Sequence, residues 1–242
     1  MCALHCSGYY HDESRQAFGI LFNIPRSIST ESDLVQPTTL HQLLADTAHN
    51  MKLWPDLDDR FRLAFALAKS VLEFHMIGWL HKSLTALNVA FFPKNRASRD
   101  EQVKEPYIIG FNYSRPDDPS AFTEGIISSG AIGYQHPRYR QDTRGYRPEY
   151  DYYSLGIILM QIGFWQPLNK IVKLSSDTYD QNLKNRIPQL RQHMGRDYCD
   201  AVAACINGDF SPSNPESDKG GNKGIFIDFE SQVLNRLNRP PI

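Results

Sequence analysis

The sequence predicts an α+β fold, mainly helical and opened by a β-hairpin, and three segments carry that prediction. Residues 2–24 hold two strand-like runs around a polar turn. After Pro55, apolar residues recur at the spacing of one helix face. From Tyr150 to Phe164 the chain is apolar almost all round, the mark of a helix buried on every side.

Taken in order, Cys2–Tyr10 forms the first strand. His11-Asp12-Glu13-Ser14-Arg15 makes the turn, and Phe18–Ile24 the second strand. Pro25 ends it, because proline has no N–H for a ladder. A polar linker runs through Thr38 to a short helix, capped by Thr38 or Thr39, with Leu40, Leu43 and Leu44 on one face. In the long helix, Asp56, Asp58 and Asp59 complement the positive end of the dipole. Phe61, Ala64, Phe65, Ala68, Val71, Leu72 and His75 form its buried stripe, and Gly78 ends it.

Leu80–Phe92 reads as short β pieces around a polar turn, Pro106–Phe111 as a strand, and Asp117–Gly133 as a long loop. Asp151 is the cap or first-turn acid of the apolar helix. Further helices are expected near 177–186, 187–208 and 226–238, and Ser211–Lys223 has the composition of a loop.

Composition narrows the function classes. The 242 residues are 41% hydrophobic and 22% charged with a net charge of −1, which gives no overall pull toward nucleic acid or anionic lipid. No secretory leader and no run of about 20 apolar residues is present, so a cytoplasmic, soluble protein is expected. Cys2 and Cys6 with His5 and His11 match no zinc spacing, and buried free thiols are the simpler reading. Arg138, Arg140, Arg144 and Arg147 interleave with Tyr139 and Tyr146, a pattern that suits single-stranded nucleic acid. With so little net charge, a solvated loop or a partner surface outweighs it.

Four motifs stand in register with one another. His81-Lys82-Ser83-Leu84-Thr85-Ala86-Leu87-Asn88 follows the long helix. Ile108-Ile109-Gly110-Phe111-Asn112 takes in the end of a short hydrophobic strand, Tyr134-Gln135-His136-Pro137-Arg138 follows the long loop, and Asp151-Tyr152-Tyr153-Ser154-Leu155-Gly156 opens the apolar helix. This series resembles the protein-kinase motifs H-R-D-L-x-x-x-N, D-F-G, A-P-E and D-x-x-S-L-G.

The resemblance implies a kinase-like large lobe over residues 26–242, preceded at 1–25 by two remnant strands of the small lobe and the hinge Asn23-Ile24-Pro25. Gly-Tyr-Tyr-His-Asp, Gly-Trp-Leu-His-Lys-Ser and Gln-Ile-Gly-Phe-Trp-Gln-Pro-Leu look most like kinase-like domains of fungal proteins. Such domains often follow a HeLo-type (prion-inhibition) domain.

The same resemblance implies that catalysis is lost. Ser83 stands at the base aspartate, and losing a positioned base removes about 10²–10⁴-fold of rate. Gly110 stands at the magnesium-binding aspartate, and Asn88 alone offers one neutral oxygen. Asn112 replaces the motif's glycine, which it can do if the left-handed backbone is needed there. No Gly-rich phosphate loop or strand lysine precedes Cys2, so no nucleotide cofactor is expected. His81, Phe111 and Asp151 keep the structural part of the pattern: His81 and Phe111 as stacked core residues, Asp151 as a buried acid holding the 81–83 backbone. His75 reads as another core histidine. Ser114, Thr123, Ser128 and Ser129 are modifiable residues of the activation-segment equivalent.

The expected function is a non-catalytic pseudokinase-type binding or regulatory module, a piece of a larger signalling or incompatibility protein. The competing reading is a divergent protein kinase whose small lobe lies outside this chain. A two-stranded remnant leaves Leu4, Phe18, Ile20 and Phe22 partly uncovered, so residues 2–24 are expected to meet a protein partner or more N-terminal sequence.

Overall fold

The structure, a computed structural model, describes residues 2–25, 36–92, 103–117, 131, 133–139, 145–174, 178–208, 210 and 223–238. The expected linker before residue 36, most of the 117–133 loop with Thr123, Ser128 and Ser129, Arg140 and Arg144, and residues 211–222 lie outside them. The fold is α+β, with helices dominant.

The hairpin pairs β1 (Cys6–Asp12) with β2 (Ala17–Phe22), antiparallel, with a bulge between Cys6 and Gly8. The first strand thus runs two residues past its expected end. The turn falls on residues 13–16, because Asp12 accepts from the Ser14 and Arg15 amides and closes it. The hairpin joins the body through residues 2–3. Cys2 N–H donates to Ser70 Oγ at 2.6 Å, and Ile108 N–H donates to the Cys2 carbonyl at 2.7 Å.

β3 (Thr38–Thr39) leads into α1 (Leu40–Thr47), where Thr39 and Gln42 form a reciprocal capping box. α2 (Leu57–Met76) buries the expected stripe except Phe65, which is half-buried, and adds Leu63 and Leu67 to it; Gly78 follows with φ +80°. β4 (Trp79–Leu80), β5 (Val89–Phe91), β6 (Tyr107–Ile108) and β7 (Arg115–Pro116) are short. They form a β3–β5–β6 sheet and a β4–β7 pair, both antiparallel. The strand expected over 106–111 stops at Ile108. Gly110 turns left-handed, and Phe111–Tyr113 forms a 3-10 turn instead.

α3 (Pro148–Phe164) is buried along its length except at Glu149. It starts with proline at its first position, which needs no N–H there. α4 (Leu168–Ile171) and α5 (Tyr179–Arg186) follow. α6 (Leu190–Asn207), preceded by a 3-10 turn at 187–189, breaks helical geometry at Gly195, where φ is +77°. α7 (Lys223–Phe229), a π turn at 230–234 and α8 (Asn235–Leu237) complete the described chain.

The core is the stack of α2, α3 and α6, and glycines set its spacing. A Cβ on Gly156 would lie 2.7 Å from Cys205 Cβ, so α6 approaches α3 where a larger residue would hold it off. Polar ties cross the same core. Trp165 Nε1 donates to Thr47 Oγ1 at 2.9 Å, Tyr198 hydroxyl to the Leu159 carbonyl at 2.7 Å, and Arg60 to the Gly163 carbonyl at 3.1 Å. Among the described residues no helix is long and apolar enough to cross a membrane.

Candidate functional site

Asp151 is the hub of the site. It sits in the first turn of α3, wholly buried, and its side chain caps no helix. One carboxylate oxygen accepts from His81 N–H at 2.8 Å and His75 Nε2–H at 3.0 Å. The other accepts from Lys82 N–H at 2.9 Å and the Tyr146 hydroxyl at 2.7 Å. Four donors satisfy the lone pairs that burial would otherwise orphan. Burial pushes the Asp151 carboxyl upward. Hydrogen bonds from His75 and from the Tyr146 hydroxyl outweigh it, so the group ends below its ordinary value and ionised. Tyr146 is driven the opposite way, by burial and then by the Asp151 charge, and stays neutral.

The carboxylate fixes the backbone of residues 81–82, and Lys82 takes φ +69° there, a left-handed conformation rare for a side-chain-bearing residue. Two strong acceptor contacts on successive amides hold it in that state. The Lys82 ammonium lies 5.7 Å from the Tyr146 ring. Burial and then the Arg115 charge lower its pKa, against the pull of Asp151.

His81 joins two strands of the site. Burial lowers its pKa, so the ring is neutral; Nε2–H donates to the Ile109 carbonyl at 3.0 Å and Nδ1 accepts from Ser83 N–H at 3.4 Å. Its ring lies 5.1 Å from Phe111, which in turn lies 5.5 Å from Phe74. The two rings are thus in contact, but tilted at 53° rather than stacked, and Phe111 is only half-buried. These rings wall an apolar slot completed by Cys2, Val71 and Ile108.

Ser83, Asn88 and Gly110 also come together, with Thr85 and Ile109 as the partners of Asn88. Ser83 Oγ donates to the Gly110 carbonyl at 3.2 Å. Thr85 Oγ1 donates to Asn88 Oδ1 at 2.7 Å, and the Asn88 carbonyl accepts from Ile109 N–H at 2.9 Å. The Asn88 amide nitrogen occupies the place a Cβ on residue 110 would take, so any side chain there would collide with it. Gly110 has φ +82°, and the left-handed residue of this turn is Gly110 rather than Asn112.

Other candidates fall apart from this cluster. Arg138 is exposed, its N–H donating to His136 Nδ1 at 3.1 Å. His136 packs between Tyr150 and Tyr153, and burial with the Arg138 charge brings its pKa down to about 4. Cys2 is half-buried and Cys6 exposed, and among the described residues no group of three or more His, Cys, Asp or Glu side chains is placed to hold a metal. Ser114 Oγ donates to the His81 carbonyl at 3.3 Å. The roles of Lys82, Tyr146, Thr85 and His75 as partners escaped the sequence reading.

A family model described as a domain of unknown function, DUF7580, matches residues 9–224. The chain belongs to this family. The DUF7580 match takes in every residue of the Asp151 hub and of the Ser83–Asn88–Gly110 cluster, together with most of the hairpin. No curated protein matches the sequence significantly.

Proposed function

We propose that this DUF7580 chain is a non-catalytic, kinase-like binding or regulatory module, its scaffold kept and its phosphotransfer chemistry gone. The observation that carries the reading is the closed cluster at Ser83, Asn88 and Gly110. If these are the positions of the base and the two magnesium ligands, none carries a carboxylate. The one remaining amide oxygen is engaged by Thr85, and the space of the missing aspartate is filled by Asn88. Phosphoryl transfer depends on metal-held phosphates and a positioned acceptor for the hydroxyl proton, and neither has a residue here. The Asp151 hub and the His81–Phe111 contact support the scaffold half of the proposal, since they order the loop although it holds no catalytic acid.

On this reading the protein acts inside the cell through surfaces, and residues 2–24 are its association surface. Half of the large exposed apolar side chains of the described residues lie between Tyr9 and Ile24. The rival, a divergent kinase, requires a metal–nucleotide site. Thermal-shift and calorimetric titration with ATP, with and without magnesium, separates the two. No magnesium-dependent shift and no measurable heat is expected. A dissociation constant that tightens with magnesium would overturn the proposal.

A further inference from the structure

We infer that the occupant of the hairpin is a second copy of this chain, joined by antiparallel pairing of β2 with β2. The inference rests on the reading of residues 2–24 as an association surface and names what meets it.

The hairpin is a two-stranded sheet of its own, and nothing else among the described residues pairs with either outer edge. Two strands are marginal in water, and an open edge offers unpaired N–H and C=O groups to another strand. The two edges differ. β1 is interrupted by the bulge at Cys6/Gly8, and it ends on Asp12, a charge already engaged with Ser14 and Arg15. A bulge and a charge are what discourage edge pairing. β2, Ala-Phe-Gly-Ile-Leu-Phe, has no charge, no proline and no bulge of its own. It is the unprotected edge.

Its side chains suit its own copy. Phe18, Ile20 and Phe22 share one face of the strand and Leu21 the other, and they are 72%, 55%, 38% and 47% exposed. Antiparallel self-pairing about a two-fold axis sets no like charges opposite one another and stacks apolar side chains on both faces. With Tyr9 and Tyr10, also exposed, the uncovered side chains amount to roughly 700 Å², taking about 200 Å² for each. One partner's share of a stable interface is ~800 Å². A charged partner would find no counter-charge along β2, which leaves an uncharged strand as the matching chemistry, and the chain carries one.

Sedimentation across micromolar concentrations, with hydrogen exchange on the same samples, tests this. A monomer–dimer equilibrium is expected, with amides of 17–22 protected as concentration rises and those of 6–12 changing little. Phe18→Lys/Ile20→Lys, both on exposed side chains, should weaken dimerisation at least tenfold with an unchanged circular-dichroism melt. A monomer with fast exchange in both strands would overturn the second-copy inference and leave the association surface standing with another occupant. A monomer with slow exchange in both strands would overturn the surface as well. A dimer indifferent to the double lysine variant would place the interface elsewhere and overturn the inference too.

Discussion

At Gly110 the decisive quantity is the volume of one methyl group. The backbone there is left-handed, so a Cβ alone is strained by about 1 kcal/mol. The Asn88 amide would also have to give way, and it is tied down through Thr85. Gly110→Ala is therefore expected to destabilise by about 2–4 kcal/mol, the sum of strain and overpacking. Asn88→Ala alone loses the Thr85 hydrogen bond, about 1 kcal/mol. In the double variant the collision disappears and only the backbone strain remains, so the two effects should fall short of additivity by at least 1 kcal/mol. Urea midpoints for the four proteins measure that coupling. Strict additivity would show that Asn88 does not fill the site of the missing side chain. The same geometry means that Gly110→Asp, which would place a carboxylate there, should weaken the fold before it can bind anything.

Elements were legible in proportion to how much of their order is local. α2 announces itself through its stripe, its acidic first turn and Gly78, and α3 through an apolar run too continuous for a surface helix. Both came out within two residues of expectation. Of the β3–β5–β6 sheet, strand character near Phe91 and Tyr107-Ile108 was legible, but Thr38-Thr39 was not, because two residues are too short for a period and are a strand only by virtue of their partner. The π turn at 230–234 and the break at Gly195 are settled by packing in the same way. In the site, His81, Asn88, Gly110, Phe111 and Asp151 were visible as spaced motifs. The His75–Asp151 bond, 76 residues apart in sequence, and the Asn88–Gly110 collision were not, since neither leaves a periodic trace. Helix packing offers its own test at two glycines of α3. A Cβ on Gly156 meets Cys205 Cβ and backbone, which cannot yield, whereas one on Gly163 first meets the tip of Leu190 at 2.6 Å, which can rotate. Gly156→Ala should cost about 1–3 kcal/mol and Gly163→Ala distinctly less, even though alanine favours helix at both positions. Equal midpoints in chemical denaturation would refute the rigid α3–α6 contact.

Across the whole molecule, buried titratable groups set a bounded window of pH stability. His136 is held neutral by burial and by Arg138, with its pKa brought from 6.5 to about 4. An unfolded chain therefore binds a proton there that the folded one refuses, so stability is complete above about pH 6.5 and is lost as pH falls toward 4. Asp151 adds a second acid limb. Its pKa is depressed, so its contribution holds above the unfolded value near 3.9 and disappears below it. The alkaline side is governed by groups shifted the other way. Burial raises the Cys205 thiol and lifts Tyr134 to about 12, with Tyr152, Tyr153 and Tyr198 raised further. Their neutral forms stabilise the fold fully below their unfolded values, near 8.5 for the thiol and 10 for the phenols, and that stability is lost as pH rises beyond them. The urea midpoint should thus be flat between about pH 7 and 8.5 and fall on both sides. His136→Phe keeps an aromatic ring against Tyr150 and Tyr153 but has no proton to gain. It should make the limb between pH 6.5 and 4 shallower, with the buried His81 supplying what remains, and leave the alkaline limb where it was. A wild-type midpoint already flat from pH 7 to 4 would mean that His136 is solvated rather than packed against those rings. The loop that carries Tyr134 and Arg138 would then not rest on α3 as described.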